Sequence, residues 1–390
     1  MIIGVDARVL IEGSGGVRVY AEAVLRHMIK STRGHEWKLF INTRSTASVF
    51  INELETLSNV RVYRYRFPSK FLNASFRFRR WPYIDSLVGG CDVLFFPTIL
   101  YSAWSKDVPA VLTMHDLSFE IVPECFTRTQ NLWHHLVRPR SLCEQAKAVV
   151  AVSESTRRDI IERYGIDEKR VHAVHHGLGT QFRPGLNSTT IKALRERYHI
   201  PDGPIILQAG TIEPRKNTHM TLAAFEAWND REPDVANAYV LIFAGHRGWK
   251  SKQFYQAVAR SKYASRVAVI HEVPASHLPA LYSAASAFVY PSLYEGFGFP
   301  IIEAMACGTP VITAPHSSLG EIAHGAAHYV HPYHPEELVE AFSLFARDPE
   351  YIKDLRSRGL ERTTHFSWEK TAQRTLSVIE STQRTYAHRH

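Results

Sequence analysis

Short apolar runs alternate with amphipathic helical patterns along the whole chain, and this alternation is the strongest constraint on its fold. Runs such as VLFF, AVVAV and YVLIFAG are continuously apolar rather than alternating. Strands of that kind are buried on both faces, and helices between them imply parallel pairing. The sequence therefore predicts an α/β protein. Its predicted strands are 2–5, 37–41, 60–65, 92–96, 110–114, 148–152, 171–174, 205–209, 239–244, 267–271, 287–290, 310–313 and 328–330.

A chain of 390 residues is too long for one core, and a Gly/Pro-rich stretch at 175–190 interrupts the pattern. We predict an N-terminal Rossmann-like domain over 1–180, a linker over 181–203 and a second Rossmann-like domain over 204–365. A C-terminal helix within 366–390 either ends the second domain or crosses back to the first. Because open parallel sheets bind ligands at the carboxyl ends of their strands, the site is expected in a cleft between the domains.

The basic charge is concentrated in the first half of the chain. Residues 1–200 contain 28 Lys/Arg and 19 Asp/Glu, a net charge of +9. The whole chain has a net charge of +8, so residues 201–390 have a net charge of −1. The densest part, here called the basic aromatic segment (residues 60–84), has seven Lys/Arg, many aromatic residues and no acid. It is either a solvated loop beside strands or a surface for anionic lipid headgroups or a lipid-linked diphosphate. No nucleic-acid-binding motif accompanies it.

Other features limit the location of the protein. No apolar run reaches the roughly 18 residues of a membrane-spanning helix. The N-terminus carries Asp6 and Arg8 and does not resemble a signal peptide. Four cysteines without metal-ligand spacing argue against structural zinc and against a disulfide framework. We therefore expect a cytoplasmic protein, with attachment to the inner face of the membrane through the basic aromatic segment as an extension of that hypothesis.

Two patterns in the first half are candidates for ligand binding. In EGSGGVRVY, Gly15 and Gly16 follow a strand and open a helix predicted at 17–29, where free backbone N–H groups favour an anion. A plain structural turn explains the same glycines. In LTMHDLSFE, His115 ends a predicted strand and is expected to point into the cleft. A locally packed histidine is the alternative.

The stretch LQAGTIEPRKN contains the strongest candidate for phosphate binding. Gly210 and Thr211 follow a strand, and Arg215 and Lys216 precede a helix. Two cations beside the positive end of a helix repel one another, so an anionic ligand would stabilise them. We interpret the pair as a diphosphate site, with a surface basic pair as the alternative.

The stretch YEGFGFPIIEAMACG places two acids around a glycine-rich turn. Glu295 follows a strand, whereas Glu303 falls near the start of a helix that ends at Cys307. An acid near a helix start is favourable in itself, but Glu295 needs a hydrogen-bond donor, and sugar hydroxyls are suitable.

Together these motifs resemble retaining glycosyltransferases of family 4, which have the GT-B fold. The resemblance is dense from GTIEPRKN through YEGFGFPIIEAMACGTPVI to SSLGEIAHGAA. It implies that Arg215 and Lys216 hold the diphosphate of a nucleotide-diphosphate sugar. It also implies that Glu295 contacts sugar hydroxyls and that Glu303 holds ribose hydroxyls.

The resemblance gives roles to the remaining candidates as well. Backbone amides of Phe297, Gly298 and Phe299 are expected near the sugar and phosphates. Gly16 is expected near the diphosphate, and His115 near the donor sugar. No Asp-x-Asp sequence is present, so we expect a metal-independent enzyme.

HDLSFE and SSLGEIA look most like bacterial mannosyltransferases that use GDP-mannose in surface polysaccharide synthesis. Related enzymes use UDP- or dTDP-sugars, so those donors remain alternatives. The expected acceptor is a glycan, and the basic aromatic segment suggests one linked to polyprenyl diphosphate. A dinucleotide oxidoreductase is disfavoured because GSGGVRVY lacks the GxGxxG spacing. A non-catalytic scaffold that binds nucleotide sugars would keep the same binding residues.

Overall fold

A computed structural model describes residues 1–13, 15–32, 34–44, 48–185 and 188–388. The chain divides into two units. Unit 1 comprises Met1–Leu117, Thr129–Gly177 and the C-terminal segment from Phe366, and unit 2 comprises Ser118–Arg128 and Leu178–His365. The segment Ser118–Arg128, within the predicted first domain, therefore belongs to unit 2. The C-terminal segment belongs to unit 1. Residues 186 and 187 of the predicted linker lie outside the described residues.

Unit 1 is built on a seven-stranded sheet with the order β3-β2-β1-β4-β5-β6-β7. All its neighbouring strands are parallel. The strands are β1 Ile2–Asp6, β2 Glu36–Asn42, β3 Val60–Tyr65, β4 Val93–Phe96, β5 Ala110–Met114, β6 Ala148–Ala151 and β7 Val171–Ala173.

Unit 2 is built on a six-stranded sheet with the order β10-β9-β8-β11-β12-β13, also parallel throughout. Its strands are β8 Ile205–Ala209, β9 Val240–Ala244, β10 Val267–Ile270, β11 Ala285–Tyr290, β12 Val311–Thr313 and β13 His328–Tyr329. The thirteen strand predictions are confirmed, each to within two residues at either end. Two parallel-sheet, Rossmann-like units also confirm the predicted fold class.

Continuous apolar strands are explained by burial on both faces of the second sheet. Ile205 and Leu207 of β8 belong to one apolar cluster, whereas Ile206 between them belongs to a cluster on the opposite face. The same alternation separates Ile242 from Phe243 in β9. Each residue of such a strand needs an apolar side chain, because successive side chains point to opposite faces.

Both sheets reverse their strand order at one point. The chain runs outward from β1 to β3 and returns to place β4 beside β1, and likewise returns to place β11 beside β8. Loops that leave two such adjacent strands depart in opposite directions and open a crevice at their carboxyl ends. In unit 2, those loops follow Ala209 and Tyr290.

Helices connect the strands in both units. Within the described residues the α-helices are α1 Val9–Glu12, α2 Gly15–Ser31, α3 Val49–Glu55, α4 Ser69–Ala74, α5 Ile84–Leu87, α6 Ser118–Ile121, α7 Arg128–Val137, α8 Pro139–Gln145, α9 Glu154–Tyr164, α10 Ser188–Arg197, α11 Thr218–Arg231, α12 Pro233–Ala236, α13 Lys252–Arg260, α14 Leu278–Ala284, α15 Phe299–Ala306, α16 Ser317–Ala323, α17 Pro335–Arg347, α18 Pro349–Thr363 and α19 Trp368–Ala387. Among them, no helix is both long enough and apolar enough to cross a membrane.

Helix α19 packs in unit 1, where it lies against α2. The Ser367 side chain caps its first turn by accepting a hydrogen bond from the backbone N–H of Lys370. The Thr371 hydroxyl donates to the backbone oxygen of His175 at 2.7 Å. The backbone at Gly177 lies so close to the first residue of α19 that a Cβ at Gly177 would be 2.2 Å from the backbone nitrogen of Trp368. Glycine at 177 is therefore required for α19 to dock.

Gly177→Ala should lower the free energy of unfolding by about 1–3 kcal/mol, because the added methyl group meets backbone atoms that cannot rotate away. Gly34→Ala is the matched control, since a Cβ there meets nothing within 4 Å. Chemical denaturation of both variants measures the difference. Equal stabilities would contradict the close approach of Gly177 to α19.

Candidate functional site

The loop after β8 forms one side of the candidate site in unit 2. Gly210 follows the strand with a backbone φ of +133°, and Pro214–Lys216 forms a 3₁₀ turn directly before α11. Asn217 fixes this turn, because its side-chain amide donates to the backbone oxygens of Pro291 (3.2 Å) and Pro332 (2.6 Å). The position of Arg215 and Lys216 is thereby tied to the loop after β11.

Glu295, on the loop after β11, joins both cations. Its Oε2 lies 2.8 Å from Nη1 of Arg215, and its Oε1 lies 2.5 Å from Nζ of Lys216. The Tyr290 hydroxyl donates to the same Oε1 at 3.1 Å and also contacts Nζ of Lys216. On the other side, Nη2 of Arg215 lies 2.7 Å from Oε1 of Glu213. Two acids and two cations therefore form one buried group, here called the charge cluster (Glu213, Arg215, Lys216 and Glu295).

Burial and charge act against each other in this cluster. Burial disfavours the charged form of Glu295, but Arg215 and Lys216 overcome it and lower the pKa of its carboxyl to about 2. Burial also lowers the pKa of Lys216, which Glu295 opposes. The pKa of Glu213 is raised, mainly by burial, despite its contact with Arg215. Glu295 is therefore ionised at neutral pH and holds the two cations in place.

This arrangement changes the reasoning from the sequence. Repulsion between Arg215 and Lys216 was expected to require an anionic ligand, and Glu295 was expected to require donors from a sugar. The structure instead places Glu213 and Glu295 beside the cations, so each charge has a partner within the fold. Their roles toward a ligand stay predictions, whereas their role in building the site is directly visible.

Glu213 was missed by the sequence reasoning. Its side chain is 3% exposed, and its Oε2 has no hydrogen-bond partner among the described residues. A cavity of about 530 Å³ lies beside it, lined also by Thr218, His219 and Phe254. An acid two positions before Arg215 was the available signal, because a buried arginine requires a carboxylate nearby.

The glycine-rich turn leads directly into α15. Gly298 precedes the helix with a φ of +99°, a conformation that a side chain would strain. The hydroxyl of Ser318 donates to the backbone oxygens of Glu295 and Phe297, at 2.9 Å each. The rings of Phe297 and Phe299 contact each other with centroids 5.2 Å apart. The turn is thus held firmly at the start of α15.

Glu303 lies in the middle of α15. Among the described residues it makes no hydrogen bond or ion pair with the charge cluster. Its Oε2 accepts a hydrogen bond from the hydroxyl of the buried Tyr282 at 2.9 Å. No cation pairs with it among the described residues. Burial raises the pKa of Glu303 to about 7, and the Tyr282 hydrogen bond only partly opposes this rise. The two acids of one motif therefore have opposite protonation behaviour.

In unit 1, His115 belongs to an aromatic cluster that the sequence did not reveal. Its Nε2 lies 2.9 Å from the backbone oxygen of Pro97, so this nitrogen carries the proton. Its ring contacts Tyr20 edge-on with centroids 5.0 Å apart, and His176 is next to both. Burial lowers the pKa of His115 and of His176. Both imidazoles are therefore neutral at pH 7.

Gly15 and Gly16 are exposed at the start of α2, and Ser14 lies outside the described residues.

In unit 2, the structure brings Gly210, Arg215, Lys216 and Glu295 together at the point where the second sheet reverses its strand order. Thr211 follows Gly210 in the same loop. No group of three or more His, Cys, Asp or Glu side chains that could hold a metal ion occurs in the described part of the chain.

Two family models match the chain, one in each half. A model of the glycosyl transferases group 1 matches residues 190–362, and a model of glycosyltransferase family 4 matches residues 14–182. The two matches correspond to the second and first Rossmann-like units.

Curated relatives point the same way. The O-antigen chain mannosyltransferase B of Escherichia coli is 31% identical over 271 residues, which cover 70% of each chain. The O-antigen chain mannosyltransferase RfbU of Salmonella typhimurium is 29% identical over 221 residues, covering 57% of this chain and 56% of that protein. The serotype-specific mannosyltransferase WbdA of Escherichia coli is 27% identical over 284 residues, but the match spans only 34% of its length.

Solved structures share the fold at low sequence identity. The Anabaena protein HepE, in complex with UDP and glucose, has a TM-score of 0.72 at 17% identity and covers 97% of this chain and 99% of its own. WaaG, a glycosyltransferase involved in lipopolysaccharide biosynthesis, has a TM-score of 0.70 at 13% identity with the same coverage. These likenesses and the two sheets define a protein of the GT-B class. The chain belongs to glycosyltransferase family 4, with the group 1 domain in its second half.

Opposite pKa shifts lead to opposite effects of substitution. The folded protein binds a proton at Glu303 more tightly than the unfolded chain does, so the stability from this group is present below pH 4.5 and is lost as the pH rises to about 7. Glu303→Gln should therefore become more stable than the wild type by roughly 1–3 kcal/mol between pH 5 and pH 8.

Glu295→Gln is the matched comparison. It should be destabilised by roughly 3 kcal/mol at every pH in that range, because it leaves buried cations with too little negative charge. Urea unfolding at several pH values measures both effects. A pH-independent difference for Glu303→Gln would contradict its raised pKa.

Proposed function

We propose that this glycosyltransferase moves mannose, with retention of configuration, from GDP-mannose to a glycan acceptor in surface polysaccharide synthesis. Two of its relatives are named as O-antigen chain mannosyltransferases, which supports mannose as the sugar. The resemblance of HDLSFE and SSLGEIA to mannosyltransferases that use GDP-mannose supports the nucleotide. A UDP- or dTDP-sugar donor is the alternative within the same reaction class.

The observation that carries this proposal is the charge cluster at the reversal of the second sheet. Ligands of open parallel sheets bind at such a point, and a diphosphate requires fixed positive charge there. Lys216 has three N–H donors, and the described acceptors are Glu295 and Tyr290. Its third donor is available to a phosphate oxygen. Glu295 orients the ammonium group for that contact.

The rest of the donor is assigned along the turn and helix α15. We assign the backbone N–H groups of Phe297, Gly298 and Phe299 to the sugar and phosphates, because partial positive charge at a helix start favours anions. Glu303 accepts the ribose hydroxyls. Such donors favour the ionised carboxylate, so nucleotide binding should lower the pKa of Glu303 and release a proton near pH 7. Gly15, Gly16, Gly210, Thr211 and His115 complete the proposed donor site.

The reaction follows from the charges. The bond between the anomeric carbon and the diphosphate oxygen breaks, and the two cations of the cluster, Arg215 and Lys216, stabilise the departing anion. The acceptor hydroxyl oxygen forms the new bond on the same face of the sugar. Its proton passes to a diphosphate oxygen. No side chain is assigned as a nucleophile, and the positive charge of Arg215 and Lys216 leads us to expect activity without a metal ion.

The acceptor is assigned to unit 1. Five large apolar side chains of the basic aromatic segment are exposed, namely Phe67, Phe71, Phe78, Trp81 and Tyr83. Aromatic and cationic side chains together suit the interface of an anionic membrane. We therefore propose a glycan linked to polyprenyl diphosphate as the acceptor, and attachment of the protein to the inner face of the cell membrane.

The donor can be identified directly. GDP-mannose should raise the thermal unfolding temperature more than UDP-glucose, UDP-N-acetylglucosamine or dTDP-rhamnose, because only its base and sugar would both fit. Incubation with acceptor should then release GDP, and EDTA should leave the rate unchanged. If only a UDP- or dTDP-sugar stabilised the protein, that nucleotide sugar would replace GDP-mannose as the proposed donor. Donor binding without release of nucleotide would favour a scaffold.

Lys216→Ala should lower kcat roughly 100-fold while donor affinity changes much less, because the lost cation acts on charge that develops as the diphosphate departs. Lys353→Ala is the control, since Lys353 is an exposed lysine of the same unit. Calorimetry gives donor affinity, and release of nucleotide gives kcat. A defect in affinity alone would mean that Lys216 only binds the donor. Thermal unfolding checks that the variant is folded.

A further inference from the structure

The arginines of unit 1 fall into two groups. Several lie beside a carboxylate, as Arg8 does with Asp6, Arg26 with Glu53 and Arg64 with Glu55. Arg77, Arg79, Arg80 and Arg138 have no carboxylate partner among the described residues. Unpaired cations that lie close together repel one another and favour an anion.

Three of these four arginines line one cavity of about 70 Å³: Arg77, Arg80 and Arg138. One water needs roughly 10–15 Å³ of such space, so a phosphoryl group can enter this cavity. Nε of Arg77 is buried and has no hydrogen-bond partner in the part of the chain that the structure describes. A buried N–H without an acceptor is costly, and a rotation of the Arg77 guanidinium toward a phosphate oxygen would satisfy it.

The remaining walls of the cavity are held rigidly. Tyr101 and Ser102 line it, and Arg8 fixes both by donating to the Tyr101 backbone oxygen at 2.8 Å and to the Ser102 hydroxyl at 3.2 Å. Arg8 is itself buried against Asp6. Gln145, another lining residue, accepts a hydrogen bond from Arg80. The hydroxyls of Ser102 and Ser141 add polar groups to the lining.

Exposed aromatic side chains lie in the same segment as the cavity. Phe78 is 74% exposed, and its ring packs with its centroid 5.1 Å from the guanidinium carbon of Arg77. Trp81 is 64% exposed and directly follows Arg80. A phosphate group in the cavity would therefore leave an attached hydrocarbon chain beside exposed apolar side chains.

We propose that the cavity formed by Arg77, Arg80 and Arg138 binds the diphosphate of the lipid-linked acceptor, with Phe78 and Trp81 contacting its hydrocarbon chain. This inference rests on the proposed acceptor class and adds the site that recognises it. Three arginines that line one small cavity favour one inserted phosphoryl group over the many headgroups of a bilayer. Guanidinium groups suit that ligand, because their N–H pairs match phosphate oxygens.

Calorimetry with farnesyl diphosphate, below its critical micelle concentration and without nucleotide sugar, tests the site. The wild type should bind it, and farnesol and inorganic diphosphate should each bind much more weakly. Arg77→Gln and Arg138→Gln should weaken binding roughly tenfold through loss of a charged hydrogen bond. Arg79→Gln should change it less than about twofold, because Arg79 is equally basic but does not line the cavity.

Several outcomes would overturn the proposal. An equal loss in Arg79→Gln would show general charge attraction, and equal binding of inorganic diphosphate would show a free-phosphate site. If Arg77→Gln loses binding to phosphatidylglycerol vesicles but keeps farnesyl diphosphate, the cavity belongs to bilayer phospholipid. Thermal unfolding shows whether Arg77→Gln is folded. Arg77→Lys keeps the positive charge and should therefore restore part of the affinity.

The test is independent of the donor. Binding of farnesyl diphosphate that depends on Arg77 would support the cavity even if GDP-mannose were not a substrate. Conversely, mannosyl transfer to a glycan without binding of farnesyl diphosphate would reject the cavity and leave the proposed reaction intact. With a lipid-linked acceptor, Arg138→Gln should raise KM for the acceptor at least fivefold and leave donor affinity unchanged.

Discussion

The ion pairs of Glu295 with Arg215 and Lys216 are the interaction on which the rest of the site depends. They connect the loop after β8 with the loop after β11, at the point where the second sheet reverses its strand order. Each ion is costly to bury alone, but the carboxylate and the cations satisfy one another. The price of removing charges from water is therefore offset within the fold, and the ammonium of Lys216 is oriented before any ligand arrives.

The two acids of YEGFGFPIIEAMACG show how strongly environment determines chemistry. Glu295 lies beside two cations and has a pKa lowered to about 2, whereas Glu303 has only the Tyr282 hydroxyl and a pKa raised to about 7. One is a permanent anion that builds the site. The other can change its protonation when hydroxyl donors approach. Their different positions, on a loop and inside α15, separate these functions.

The arginines of the first half include two contrasting groups. Pairs such as Arg26 with Glu53 are ordinary surface ion pairs and contribute little to stability. Arg77, Arg80 and Arg138 gather around a cavity without an acid, next to exposed aromatic rings. Charge counting along the chain finds the excess. Only the contacts distinguish cations that are already neutralised from cations that remain for a ligand.

The sequence by itself determined the strands, the parallel α/β fold and the family, because continuous apolar runs and turn motifs are local features. It also placed Arg215, Lys216 and Glu295 on loops at strand ends. It did not reveal Glu213, the cluster of Tyr20 and His176 around His115, or the opposite pKa shifts of Glu295 and Glu303. Only the tertiary structure decided these, since a pKa or a partner depends on distances between residues far apart in the chain.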